Sequence, residues 1–165
     1  MSLLRFASLV VLALWTGGLA VLGLIAAPAI FDAIEPHDPE SGRALAGQVF
    51  GVVFDRFQRL AWAMGGLLLA LYGLRAAIGP RPRRLGLRVW AAAAMLGMSL
   101  TGGIVIAPRI DAIRRTTSSA VTSLPDTDPR KIDFRRLHGL STALMVLTLV
   151  AGAGLIWSET RDPHA

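Results

Sequence analysis

Four stretches without charge constrain this chain more than any other feature. Phe6 to Phe31, Leu60 to Leu74, Val89 to Pro108 and Gly139 to Ser158 contain no Asp, Glu, Lys or Arg. A helix needs about 20 apolar residues to cross the ~30 Å hydrocarbon core of a bilayer. The first, third and fourth stretches reach that length, whereas the second has 15 residues. Just upstream of it, Val49, Val52, Val53 and Phe57 recur at helical spacing. The second helix is therefore expected to begin near residue 43, with a polar foot above the membrane, and to lengthen at its other end if Arg75 snorkels toward the headgroups. The expectation is an all-α integral membrane protein, a single four-helix bundle over residues 1–165. Its approximate spans are 6–31, 43–77, 87–108 and 136–158. The first apolar run is about twice the usual length of a signal-peptide core, so it is expected to remain as a span.

Composition agrees where it bears on this reading. Mean hydropathy is +0.55 and 53% of residues are hydrophobic, which excludes a disordered or fibrous chain. No cysteine is present, so neither a disulfide framework nor a thiolate metal site can form. Net charge is +6. The arginines stand at the ends of apolar runs, where anionic headgroups lie, so the expected partner is the lipid bilayer and not nucleic acid. Association into homo-oligomers stays open.

The chain also says nearly the same thing twice. Residues 16–34 read TGGLAVLGLIAAPAIFDAI and residues 101–113 read TGGIVIAPRIDAI. FQRL at 57–60 and FRRL at 134–137 then open the second and fourth spans. A parallel tandem repeat of two helical hairpins would produce this pattern, related by an axis along the membrane normal. Gly17, Gly18, Gly102 and Gly103 would let helices approach closely. Ala93, Gly97 and Thr101, and likewise Gly47 and Gly51, extend stripes of small residues. Pro28 and Pro108 would kink or end their helices at matching depths.

WTGGLAVLGLIAAPAIFDAI, GQVFGVVFDRFQRL, GGIVIAPRIDAIRR and FRRLHGLSTALMVLTLVAGAGLI together resemble domain of unknown function family 4149, the transmembrane-protein-205-like proteins. The resemblance runs over about residues 10–157. It implies a small four-helix membrane protein without an agreed activity. Its eukaryotic relatives are linked to tolerance of metal-based toxic compounds. A more distant similarity to copper-resistance and haem-associated four-helix membrane proteins implies inward-facing histidines, and this sequence departs from that pattern.

Folded as two hairpins, the chain collects charge on one side of the membrane. Asp55 and Arg59 precede the second span, Arg109 and Asp111 follow the third, and Asp133, Arg136 and His138 precede the fourth. Asp55–Arg59 and Asp111–Arg115 are spaced i,i+4, and Asp133–Arg136 i,i+3. These residues are candidates for a polar vestibule that binds an anion or passes a cation. The other reading, which the charge placement favours, is boundary arginines that snorkel or pair across helices to fix the bundle. Of His37, His138 and His164, only His138 falls inside a span, so haem ligation within one chain is not expected. No metal site, cofactor, catalytic triad or phosphate loop is expected, and neither is an enzyme. The expected function is an ion or metal-compound transport or tolerance module; a redox or haem-associated membrane protein is the alternative.

Orientation divides the counts. The side holding both termini and the 75–88 turn carries seven Lys/Arg, and the other side carries ten together with nine Asp/Glu. The positive-inside rule read literally favours termini outside. The turn, however, is short and dense in arginine, with no acid to neutralise it. The expectation is therefore a bacterial inner-membrane protein with cytoplasmic termini.

Overall fold

In a computed structural model the chain is all helical, and residues 3–37, 41–78, 84–117 and 121–161 are described. Most of the basic turn 79–84, the tips of the two opposite loops and His164 lie outside the described residues. Helix α1 spans Leu3–Val21 and continues through a π-helical turn, Leu22–Ala26, into α2, Ala27–Ile34. Helix α3 runs over Gly42–Ile78. Helix α4, Leu85–Leu100, continues through a second π-helical segment, Thr101–Ile106, into α5, Ala107–Arg115. Helix α6 spans Pro129–Thr160, with Asp128 as its N-cap.

Four continuous helical rods result: Leu3–His37, Gly42–Ile78, Leu85–Arg115 and Pro129–Thr160, each long and apolar enough to cross a membrane. They pack as a square, α1 on α3 and α6, α4 on α3 and α6. All four rods run past the charge-free stretches of the sequence.

Both prolines lie just beyond a π segment, and this is how the helices continue instead of ending. A proline ring in α register clashes with the carbonyl four residues back and cannot donate to it. Here the Ala27 N–H donates to the Leu22 carbonyl and the Ala107 N–H to the Gly102 carbonyl, five residues back. The widened turn takes up one extra residue ahead of each ring.

The foot of α3 is helical from Gly42 onward, as expected. Val49, Val52 and Val53 face outward, at 38–56% exposure, while Gly47 and Gln58 on the other face are buried. Gln48, Asp55, Arg56 and Arg59 are exposed on the same segment, so its outer surface mixes valines with polar and charged residues. The packed core occupies the half of the bundle nearest the termini. Leu12, Trp15, Ala61, Leu68, Tyr72, Ala92 and Met95 are fully buried there.

Close helix approach depends on only some of the expected glycines. A Cβ at Gly18 would collide with the Phe57 ring, and one at Gly103 would stand 2.6 Å from Trp62 and 2.9 Å from Gln58. Gly17 and Gly97 face open space, and Gly102 makes only ordinary contact with Gln58 at 3.8 Å. The tightest position of all is Gly152, against Thr16, and Gly65, against Leu96 and Trp15, is close as well though looser than Gly18 and Gly103. Gly152 and Gly65 lie outside the repeated motif, whereas Gly18 and Gly103 lie within it. Arg88, Ala92, Met95 and Ser99 are the buried positions of α4, so the inward stripe is offset from Ala93, Gly97 and Thr101.

Candidate functional site

At the end away from the termini the bundle opens into two chambers. The outer one, about 430 Å3, lies between the α2–α3 corner, the loop after α5 and the start of α6. Phe31, Arg43, Gln48, Val121, Lys131 and Arg135 are among its walls. The inner one, about 410 Å3, is surrounded by all four rods, with Phe54, Asp55, Gln58, Asp111 and Met145 lining it. Arg114 and His138 line both chambers and form the partition between them.

Neighbouring side chains fix that partition. The Arg114 guanidinium donates to the Gly47 carbonyl at 3.2 Å, pairs with Asp111 at 3.8 Å and lies 5.7 Å from the Phe134 ring centre. His138 stacks with Phe134, with centroids 5.8 Å apart and planes 5° from parallel. Gly47 and Gly51 are what admit Arg114. A Cβ at either would press its guanidinium nitrogens, at 3.3 and 3.4 Å.

Below the inner chamber a polar belt crosses the bundle. The Gln58 amide donates to the backbone carbonyl of Ser99 and, at 2.9 Å, to its hydroxyl. The Thr148 hydroxyl donates to the Leu144 carbonyl at 2.8 Å. A void of about 20 Å3 between Gln58, Ser99, Ser141 and Thr148 has the size of a single water site. The packed core follows.

The opposite end is closed by a buried ion cluster. Arg75 reaches both carboxylate oxygens of Glu159, at 3.0 and 3.1 Å, and Arg88 stands 3.2 Å from the nearer one. The Glu159 side chain is 0% exposed, and those of Arg75 and Arg88 are 5% and 3% exposed. Arg5 donates to the Glu159 backbone carbonyl, and Arg88 donates to the Ser158 carbonyl at 2.8 Å and its hydroxyl at 3.2 Å. Glu159 thus joins all four helices, α3 and α4 through its carboxylate and α1 through its backbone carbonyl.

Several sequence-predicted residues move in importance. Asp55 and Asp111 line the inner chamber and His138 lines both. Arg59 pairs with Asp55 at 2.6 Å but is 71% exposed and outside both chambers. Asp111 pairs with Arg114, not with Arg115. Arg109, Asp133 and Arg136 are exposed and line neither chamber. Among the described residues no ion pair holds any of the three. A helix turns 100° per residue, so boundary position alone did not say which arginine faces inward. Arg114, one turn beyond the boundary, takes that place. Arg75 points into the bundle and does not snorkel, and Glu159 pairs with both arginines flanking the basic turn. The signal for this in the sequence was Glu159, one of two acids, with Asp162, at an otherwise arginine-rich end.

A helical bundle that spans a membrane, sealed by buried ions at one end and hollow at the other, is the class defined by this architecture. The chain belongs to the family described as Domain of unknown function (DUF4149), whose profile matches residues 10–119. Helix α6, with His138 and Glu159, lies beyond the matched segment. No curated protein and no solved structure matches the chain.

Proposed function

We propose that the protein is a small membrane module that admits charged solutes from one side into the vestibule and acts in their transport or tolerance. The observation that carries this reading is the pair of joined chambers, each of ligand-pocket size, meeting at Arg114 and His138. Charged groups that line a cavity within a membrane bundle mark solute and ion pathways. The ion cluster at the far end serves as the closed gate.

The vestibule faces outward across a bacterial inner membrane in this proposal, with both termini in the cytoplasm. Arg81, Arg83 and Arg84 keep the connecting turn dense in positive charge even with Arg75 and Arg88 engaged by Glu159. The two hairpins derive from a duplicated ancestor in the same reading, because a π segment ends immediately before the Ala-Pro of each motif.

The test is a deletion strain challenged with a panel of ionic and metal-containing toxicants. The wild-type gene should restore tolerance to at least one, and Ser141→Trp, which fills the inner chamber, should not. Equal restoration by both would refute a role for the vestibule. A Soret band in the purified protein would instead favour the redox alternative.

A further inference from the structure

We infer that the outer chamber is a binding site for an amphiphilic anion, with its phosphate or carboxylate head held between Arg114 and Lys131. The inference rests on the vestibule reading above and names the class of solute. The chamber is lined by Arg43, Arg114, Lys131 and Arg135, and no carboxylate lines it among the described residues. The acids that pair with these cations stand outside its wall: Glu35 on Arg43, Asp126 on Lys131 and Arg135, Asp111 on Arg114. Arg114 and Lys131 are the least exposed of the four, at 27% and 18%. Guanidinium carries five donors in a planar fork, and Arg114 commits one nitrogen to the Gly47 carbonyl.

Two features make the ligand amphiphilic. At about 430 Å3 the chamber is far larger than a bare inorganic anion needs. Phe31, Val121 and Phe134 supply apolar wall beside the cations. The charge then reverses past the partition, where Asp55 and Asp111 line the inner chamber. An anionic head is therefore favoured in the outer chamber and opposed in the inner one. Such a head could come from a membrane phospholipid or from a soluble organic anion.

The experiment is calorimetric titration of the full chain in a neutral maltoside detergent. Octyl phosphate and octyltrimethylammonium share a tail and differ in the sign of the head. Octyl phosphate should bind at least tenfold more tightly. Arg114→Gln and Lys131→Gln should each weaken it about tenfold, Arg114→Lys should recover part of the loss, and Arg59→Gln should leave it unchanged. Phosphatidylglycerol that displaces octyl phosphate identifies a lipid source, and failure to displace identifies a soluble anion. Tighter binding of the ammonium probe would overturn the anion inference and leave the vestibule standing. So would unchanged affinity in both glutamine variants that elute as the wild type does. Binding of neither probe would overturn both readings.

Discussion

Removal of one carboxylate should damage this protein more than any other single polar change. In Glu159→Gln, Arg5, Arg75 and Arg88 keep their buried places and lose the charge that two of them contact at 3.0–3.2 Å. Removing one partner from a buried ion pair costs about 3–5 kcal/mol, because it leaves uncompensated charge behind. In a chain of 150–250 residues each kcal/mol moves the unfolding midpoint by about 2–4 °C, so Tm should fall by roughly 6–20 °C. Glutamine keeps the shape, which assigns the loss to charge and not to a cavity. The double variant Glu159→Gln with Arg75→Gln should recover part of the loss, since it deletes one stranded cation. Asp55→Asn breaks an exposed pair, and exposed pairs contribute at most about 1 kcal/mol, so it should lie within a few degrees of wild type. Thermal unfolding in detergent followed by tryptophan fluorescence measures all three. A Tm for Glu159→Gln within 2 °C of wild type would refute the clamp.

Gly152→Leu and Gly65→Leu should prevent a stable fold, because Thr16 and Trp15 occupy the space; Gly17→Leu and Gly97→Leu face open space and should express and melt normally. Gln58→Leu should lower the unfolding free energy by roughly 1–3 kcal/mol, read as a lower Tm, since it leaves the buried Ser99 acceptors without their donor. Lys131 holds the Asp126 carboxylate below its ordinary value of 3.8 by a hydrogen bond, and Arg130 does the same for Asp128. Both pairings are present above that value and are lost as the pH falls through the depressed one. A spin label at Thr127 should therefore show constant mobility from neutral pH to about 5 and loosen only in stronger acid; loosening between pH 8 and 6 would contradict this. A cysteine at Gly79 should resist a membrane-impermeant maleimide in intact cells while one at Thr127 reacts; the reverse pattern would invert the orientation.

The four spans were legible because a bilayer demands long apolar runs, and such runs show in the sequence directly. The facing of each helix was less legible. Every rod is apolar both toward lipid and toward its neighbours, so hydrophobic periodicity cannot tell Ala92 from Ala93, or the inward Gly18 from the outward Gly17. The prolines were visible, but the π segments that absorb them depend on the neighbouring turn's freedom to widen. Of the vestibule, Asp55, Asp111 and His138 were found by proximity to span ends. Arg114 was passed over in favour of Arg109 because the third rod continues, inward-facing, for another turn. The clamp was missed because Arg75 and Glu159 are 84 positions apart, and nothing local marks them as partners.

Water access distinguishes a vestibule from a packed bundle most directly, and the lack of native cysteine leaves the measurement without background. Ser141→Cys in the inner chamber and Leu68→Cys in the core are treated with a small charged methanethiosulfonate, with the reagent applied to one face of the membrane at a time. Ser141→Cys should react from the face opposite the termini at a rate near that of Thr127→Cys, and Leu68→Cys should not react from either face. Equal protection of positions 141 and 68, or entry to position 141 from the side of the termini, would contradict a bundle hollow at one end and sealed at the other.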